Sequence, residues 1–358
     1  MTLNVPEGTP DRGPGVVTLA IILIILTTIA TAIRIASKFV ASQQWWWDDF
    51  FAVLSFIFEL ITLSFTFPWR AIGLGYHSAT IAAINPVYLT RGSRYLYVAT
   101  LFFDGSVTIP KLSAAFFYAR AFGTQDPVFT FHLYTISALT WGWLIASWIS
   151  TIFQCIPIAM VWDHTIQDGT CITQYPWYLS TAILSTIIDL YILILPIPKI
   201  WALNAPLKRR IWLLIAFCLA YSVIVLSIGR IVCVARVLPR MYEDLTWEMP
   251  VYLYWAFLEG SVSIISISVP SGISMAKVLF RRGARSGKPA FGYRETDPLR
   301  RGGLACNSST ADITGKAGNE CGFTPGVEVK VSGRDGRADD KWGVPLGDIH
   351  VRTDVTVR

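Results

Sequence analysis

A small set of ionisable residues interrupts the long apolar stretches of this chain, and these residues are the strongest candidates for chemistry. They are Glu59, Asp104, Lys111, Asp189, Arg230 and Glu259. An ionisable side chain inside a hydrocarbon layer is costly, so its presence indicates a ligand site, a proton path or a pair that joins two helices. Each of these residues therefore needs a partner.

Depth along the apolar stretches suggests which charges meet. Counting inward from the start of each stretch puts Asp189 near the middle, Lys111 slightly towards the expected cytoplasmic side, and both Arg230 and Glu259 in the expected outer half. We therefore predict the ion pairs Lys111–Asp189 and Arg230–Glu259. Asp104 and Lys111 are 7 residues apart, two helical turns, and share one face of a helix. Two interpretations remain open: the pairs hold helices together, or they line a ligand site or proton path.

Two of the cysteines are candidates for a disulfide. Cys155 and Cys171 flank a segment that we expect outside the cell, where oxidising conditions allow a bond, and a bridge would hold that segment over the outer mouth of the helices. The alternative is two independent buried thiols. The other cysteines, which lack the paired spacing of zinc ligands, are Cys218, Cys233, Cys306 and Cys321.

Other chemistry finds little support in the sequence. No constellation typical of a serine, cysteine or metal hydrolase is present, and the histidines that could serve one (His77, His132 and His164) fall at or beyond the ends of the apolar stretches. A retinal Schiff base needs a deep lysine, whereas Lys277 is shallow and Lys111 lies in the third stretch. We predict no enzymatic activity, no metal and no cofactor.

The elements that position these residues are transmembrane helices. Hydrophobic residues make up 53% of the chain and charged residues 15%, and the apolar residues form stretches of about 20, enough to cross a hydrocarbon core of roughly 30 Å. The partner of this surface is the lipid bilayer. The predicted spans are 16–40, 50–67, 95–119, 132–157, 177–201, 211–238 and 250–280. The sequence predicts an all-α membrane protein, a seven-transmembrane helix bundle with a disordered C-terminal tail.

The distribution of Lys and Arg predicts the orientation, because cytoplasmic loops are the more basic. One alternating set of segments holds Arg34, Lys38, Arg120, Lys199, Lys208, Arg209, Arg210, Lys277, Arg281, Arg282, Arg285 and Lys288, and the other holds Arg12, Arg70, Arg91, Arg94, Arg236 and Arg240. We therefore expect a short extracellular N-terminus (1–15), the helical domain (16–280) and a cytoplasmic tail (281–358), in the plasma membrane. We expect the first apolar stretch to remain as a helix, since no signal-peptide pattern precedes it.

The tail and the net charge of +6 have simple explanations. From Arg281 onward, large apolar residues are few and Gly, Arg, Asp, Ser and Thr dominate, so the tail cannot offset the entropy of ordering. The basic residues cluster beside helix ends, where topology and anionic lipid explain them, and we therefore expect no nucleic-acid partner.

Short motifs in a fixed order indicate a family. They are Arg34 with Trp47-Asp48-Asp49, Gly73-Leu74-Gly75-Tyr76-His77, Lys111-Leu112-Ser113 with Tyr118-Ala119-Arg120, Phe153-Gln154-Cys155-Ile156-Pro157 with Trp162 and Cys171, Asp189 before Leu195-Pro196-Ile197-Pro198, Gly229-Arg230, and Trp255 with Glu259. In this order, from about Arg34 to Lys277, the chain resembles the fungal rhodopsin-domain family, seven-helix membrane proteins similar to one encoded in the satratoxin biosynthetic cluster. The resemblance implies an uncharacterised, receptor-like membrane protein of a filamentous fungus.

Two functions follow as hypotheses. In the first, a small extracellular ligand binds under the Cys155–Cys171 segment and shifts helices whose inner ends carry Lys208, Arg209 and Arg210, which act on a cytoplasmic signalling partner. In the second, the protein is a membrane transporter, or an accessory protein, for a fungal secondary metabolite, and Asp189 and Lys111 line the path. Internal inverted repeats, a common mark of transporters, are not apparent.

Overall fold

The computed structural model describes residues 6, 8–41, 43–123, 125–163, 165–166, 168–201 and 207–286. Of residues 200–201, 207–217 and 280–286 it describes the backbone alone. The predicted tail (281–358) therefore lies outside the described residues, except that the backbone of 281–286 continues the last helix beyond its predicted end at residue 280. The side chains of Lys208, Arg209, Arg210, Arg281, Arg282 and Arg285, and the whole of His164, Lys288, Cys306 and Cys321, also lie outside them.

The described chain is almost entirely helical. The helices are α1 (Gly13–Val40), α2 (Trp47–Ser64), α3 (Thr66–Ala71), α4 (Ser78–Ile84), α5 (Val87–Phe122), α6 (Pro127–Ile152), α7 (Gln174–Ile194), α8 (Ile197–Trp201), α9 (Leu207–Met241) and α10 (Leu245–Ser286). A 3₁₀ turn (Ile158–Val161) and two short strands, β1 (Cys155–Ile156) and β2 (Thr170–Cys171), lie between α6 and α7.

Local sequence explains several helix ends. Asp126 caps α6, because its Oδ1 accepts a hydrogen bond of 3.0 Å from the backbone N–H of Val128, and Pro127 at the first helical position needs no donor partner. Pro196 separates α7 from α8, since a proline cannot supply the N–H that would continue the helix.

Within the described residues, six helical segments are long and apolar enough to cross a membrane. They are Gly13–Val40, Trp47–Ala71, Pro127–Ile152, Gln174–Lys199, Cys218–Met241 and Leu245–Leu279. The chain is thus a multi-pass integral membrane protein. Helix α5, which contains the predicted third span, is not among the six, because Asp104 and Lys111 lower its apolar character. Neighbouring helices cover its middle: every residue from Phe103 to Ser113 is buried.

The long helices pack side by side, and their outward surfaces are apolar. Helix α1 packs against α10, α2 against α5, α5 against α6, α7 against α9 and α9 against α10. Large apolar side chains such as Ile25 and Ile29 on α1 and Ile145 and Ile149 on α6 are about half exposed, which is favourable only in a hydrocarbon solvent. The interior holds polar side chains, including Glu59 and Glu259, as well as apolar ones.

The segment between α6 and α7 contains the predicted disulfide. Strands β1 and β2 are antiparallel with Cys155 opposite Cys171, and the structure joins these two cysteines. Trp162 in the same segment lies edge-on to Tyr97, with ring centroids 5.6 Å apart, and beneath the Arg94 guanidinium at 5.4 Å. The segment is thereby attached to the first half of α5. We call this side of the bundle the disulfide end.

The opposite side, near the start of α2, is called the Asp48 end.

The chain from Gly73 to Tyr76 closes the disulfide end beside the start of α1. Gly75 has φ +96° and lies so close to the Gly13 backbone that an added Cβ would collide with it, which explains glycine at this place in the motif.

Candidate functional site

A buried ion pair joins α5 and α7. The Nζ atom of Lys111 lies 3.0 Å from Oδ1 of Asp189 and also donates to the Ser185 hydroxyl at 2.7 Å and the Ser185 carbonyl at 3.0 Å. An ammonium has three N–H donors, so all three have acceptors. Both charged side chains are 7% exposed. The pair predicted from depth along the helices is therefore in contact and fully hydrogen-bonded on its cationic side.

A serine connects this pair to a second one. The Oγ atom of Ser227 on α9 lies 3.2 Å from Oδ2 of Asp189 and 3.1 Å from Oε1 of Glu259. Glu259 forms an ion pair with Arg230, whose Nη2 donates to the same Oε1 at 3.0 Å. A continuous chain of contacts across α7, α9 and α10 is formed by Asp189, Ser227, Glu259 and Arg230. We call these four residues, together with Lys111, the central network.

Asp104 is buried but lies outside those ion pairs. Its Oδ2 accepts a hydrogen bond of 2.6 Å from Ser147 on α6. Asp104 and Lys111 share the covered middle of α5, yet the structure directs one towards α6 and the other towards α7. Asp104 and Lys111, which the sequence predicts on one helix face, therefore contact different neighbouring helices.

Glu59, which the sequence left without a partner, meets hydroxyl groups rather than a cation. Its Oε1 accepts a hydrogen bond of 2.7 Å from Ser261 on α10, and the side chain is 1% exposed. Gly260 makes this approach possible, because an added Cβ there would collide with Oε2 of Glu59. A search for opposite charges could not find these contacts, since serine is common throughout the helices.

A cavity of about 130 Å³ adjoins the central network. Lys111 and Asp189 form part of its wall; the rest is mainly apolar, with hydroxyl-bearing residues among it: Pro110, Ala114, Phe117, Tyr118, Ile192, Leu193, Ala220, Val223, Ser263, Ser266, Ile267 and Pro270. On α5, α7 and α10 these positions lie between the ion pairs and the Asp48 end. This cavity does not lie beneath the Cys155–Cys171 segment, where we expected the ligand to bind. A smaller cavity of about 30 Å³, lined by residues such as Trp69 and Tyr252, lies in the half nearer the disulfide.

A second charged cluster, which the sequence interpretation missed, closes the Asp48 end. Arg34 contacts Asp48 at 2.7 Å and Asp49 at 3.0 Å, and Lys38 contacts Asp49 at 2.7 Å. Arg120 at the end of α5 reaches Asp48 at 3.2 Å. Charges near span ends are ordinary and therefore did not stand out. Arg34 also donates to the Ile267 carbonyl, so the cluster links α1, α2, α5 and α10 below the cavity.

A polar contact on the disulfide end fixes the loop before α4 to the start of α10. Asp244 accepts hydrogen bonds from the Ser78 backbone N–H at 2.9 Å and contacts Nδ1 of His77 at 2.7 Å. Partial burial opposes ionisation of Asp244, but hydrogen bonds from Ser78, His77 and the Trp247 backbone outweigh it and lower the pKa of this carboxyl.

The described residues contain no cluster of metal ligands. Among them, no group of three or more His, Cys, Asp or Glu side chains could hold a metal ion. Of the two lysines considered for a Schiff base, Lys277 is exposed and Lys111 is buried beside Asp189 and the oxygens of Ser185.

Comparison with known proteins gives one family and two relatives. The fungal rhodopsin domain matches residues 33–278. A polyenoic acids biosynthesis gene cluster protein of Metarhizium anisopliae is 23% identical over 54% of this chain and 52% of its own length. A SAT4 family membrane protein of Emericella nidulans is 31% identical over 39% of this chain and 36% of its own length. The chain thus spans about half the length of these curated relatives or less. No solved structure matches.

Proposed function

The chain belongs to the fungal rhodopsin domain family, and we propose that it is a seven-helix, receptor-like sensor that binds a small ligand in the cavity beside Lys111 and Asp189. The observation that carries this proposal is the contact between a cavity and a buried ionic network. A ligand in that cavity would touch residues that connect α5, α7, α9 and α10. Such a cavity wall is suited to binding a ligand rather than to catalysis.

Helix α5 is the seventh crossing in this proposal. It has 36 residues, which at about 1.5 Å per residue is far longer than a hydrocarbon core of roughly 30 Å. Its polar residues from Asp104 to Ser113 are covered by other helices and do not face lipid. Polar spans are tolerated in membranes when protein surrounds them.

The proposed orientation places the N-terminus outside and residue 281 onward in the cytoplasm of a plasma-membrane protein. The cavity then lies in the cytoplasmic half, so the ligand reaches it from the cytoplasm or through the bilayer rather than from under the disulfide-bonded segment. Accessibility of tags at the two chain ends in intact cells tests this topology. An N-terminal tag labelled only after permeabilisation would contradict it.

The cavity wall points to a small amphiphilic ligand. A dry cavity of roughly 150 Å³ holds a benzene-sized group, so about 130 Å³ would accept one ring or the end of a chain while the remainder extends between helices. Phe117 and Ile267 supply apolar contact, and Ser266 and Tyr118 bring hydroxyl groups to the wall. The name of one relative refers to polyenoic acids, and an unsaturated acid has this combination of apolar chain and polar group.

The central network offers a way to convert binding into helix movement. A polar ligand group beside Asp189 competes with Ser227 for its Oδ2, and Ser227 also contacts Glu259. A ligand shifts a conformational equilibrium only through different affinities for its two states. Competition at Asp189 supplies that difference, and the moving helices act on a cytoplasmic partner.

A transporter or transport accessory protein is the second candidate. The position of the cavity on one side of the ion pairs favours it, because a site that the ion pairs separate from one face of the membrane corresponds to one state of alternating access. Reconstituted vesicles distinguish the two functions. Time-dependent accumulation of an unsaturated fatty acid above that of empty vesicles would indicate transport, whereas binding without accumulation would indicate a sensor.

Ligand binding itself is tested by filling the cavity. Purified full-length protein in lipid nanodiscs is titrated with short unsaturated acids while its melting temperature is followed. Ala114→Phe places a ring in the cavity without changing a charge, and Ala146→Phe adds the same ring at an exposed position on α6. We expect the ligand-induced shift to be lost in the first variant and kept in the second. Equal shifts in both would overturn the proposal.

A further inference from the structure

Glu59 lies in the middle of α2 with an incompletely bonded carboxyl group. The side chain is 1% exposed. Its Oε1 accepts the 2.7 Å hydrogen bond from Ser261, whereas its Oε2 is buried without a hydrogen-bond partner in the described part of the chain. A buried oxygen that nothing donates to is unusual and needs an explanation.

The groups around Oε2 suit a proton on that oxygen. Gly260 packs so closely that an added Cβ would collide with it, which leaves no room for a bridging molecule on that side. The Ser106 hydroxyl on α5 donates its hydrogen to the Phe103 carbonyl at 2.9 Å, so that hydrogen is not available to the carboxyl.

The charged groups on the packed helices are committed elsewhere. Glu259 on α10 is the charged group that acts on Glu59, and its effect is repulsive; its own partner is Arg230. Of the other charged residues on α5, α1 and α2, Asp104 contacts Ser147, Lys111 contacts Asp189, and Arg34, Lys38 and Arg120 contact Asp48 and Asp49. Arg91 and Arg94 are exposed near the start of α5. Among the described residues, no cation is in ion-pair contact with Glu59.

We propose that Glu59 is a proton-binding site in the interior of the membrane domain, with the proton on Oε2. A buried carboxylate without a cation is costly, whereas the protonated acid carries no charge to desolvate. The proton comes from solvent as an O–H bond forms on the carboxylate, and it returns there on release. Release leaves a negative charge near Glu259 and loosens the contact between α2 and α10. Glu59 does not line the ligand cavity.

Infrared spectroscopy of the full-length protein tests this site. In an ester-free detergent, a protonated carboxyl gives a carbonyl stretch that is separate from the amide bands and shifts in heavy water. We expect this band at neutral pH, and we expect Glu59→Gln to remove its Glu59 component while Asp104→Asn leaves that component in place. A Glu59→Gln spectrum identical to that of the wild type at every pH would overturn the proposal.

A second measurement needs no variant, in case Glu59→Gln does not fold. Wild-type protein made with carbon-13 in the glutamate side-chain carboxyl shifts the acid band only when a glutamate carries the proton. We expect a shifted acid band that is still present at neutral pH, as a buried protonated site requires. An unshifted band, or no band, would contradict proton binding at Glu59.

Discussion

Lys111 and Asp189 face each other across α5 and α7, with Nζ and Oδ1 3.0 Å apart, and both residues also form part of the cavity wall. One contact therefore serves both the stability of the bundle and the surface that a ligand would meet. Because Asp189 extends the contact through Ser227 to Glu259, a disturbance in the cavity reaches two further helices, α9 and α10.

The ion pair predicts a specific pattern in a double-mutant cycle. Lys111→Met leaves Asp189 as a buried unpaired charge, so we expect a loss of about 3–5 kcal/mol in unfolding free energy. Adding Asp189→Leu removes that charge and should recover much of the loss. Reversible unfolding in mixed micelles measures both. A double variant that loses the sum of the two single losses would show that the residues are not coupled.

The disulfide predicts a stability effect at the opposite end. Its cysteines are 16 residues apart, and a loop of about 15 residues contributes roughly 3 kcal/mol by restricting the unfolded chain. We expect Cys155→Ser with Cys171→Ser to lower the unfolding free energy by about that amount while the ligand-induced shift survives, because the cavity lies in the other half. Loss of ligand response in a folded double variant would relocate the site to the disulfide end.

Asp244 predicts an acid-sensitive contribution to stability. Its hydrogen bonds hold its pKa below the usual aspartate value, so the contribution is complete above an unfolded pKa of about 4. It is lost as the pH falls through the lower pKa of the folded state. We expect Asp244→Asn to be less stable than the wild type at neutral pH and the difference to vanish in acid.

The neighbouring Glu243→Gln is the matched control for this prediction, because Glu243 is exposed. Its difference from the wild type should stay small and constant across the same pH series, measured as unfolding free energy. A difference in unfolding free energy between Asp244→Asn and the wild type that widens on acidification would contradict the prediction.

Gly260 predicts that α10 tolerates no larger residue beside Glu59. Gly260→Ala forces an added methyl onto Oε2 of Glu59, and overpacking of this kind costs about 1–3 kcal/mol. Gly142→Ala on α6 meets no atom within 4 Å and should be neutral or stabilising by up to about 1 kcal/mol. Thermal unfolding of the two variants should separate them; equal melting temperatures would show that Glu59 is not packed against Gly260.

The spans and ion pairs were accessible from the sequence for a physical reason. A stretch of apolar residues fixes how deep each position lies, and opposite charges at one depth in a medium of low dielectric constant must meet. Lys111 with Asp189 and Arg230 with Glu259 follow from depth alone. The cysteine pair followed from position in the chain, since both residues flank one segment between two predicted spans.

Other features depend on packing that depth does not encode. Helix α5 has a low mean hydropathy because its middle contains polar residues. Hydropathy cannot distinguish a polar segment that protein covers from one that faces water. Glu59 binds hydroxyl groups, which carry no charge signal. The cavity depends on where Ala114 and Ala220 leave space between helices, so its location towards the Asp48 end could not be predicted.

Direct labelling of the cavity tests the central claim. An unsaturated fatty acid with a photoreactive group is incubated with the full-length protein in nanodiscs, irradiated, and mapped by mass spectrometry with and without unlabelled acid. The account predicts competed labels at cavity positions such as Ala114, Phe117 and Ser266. Labels confined to lipid-facing positions such as Ile145 and Ile149, unaffected by competitor, would contradict it.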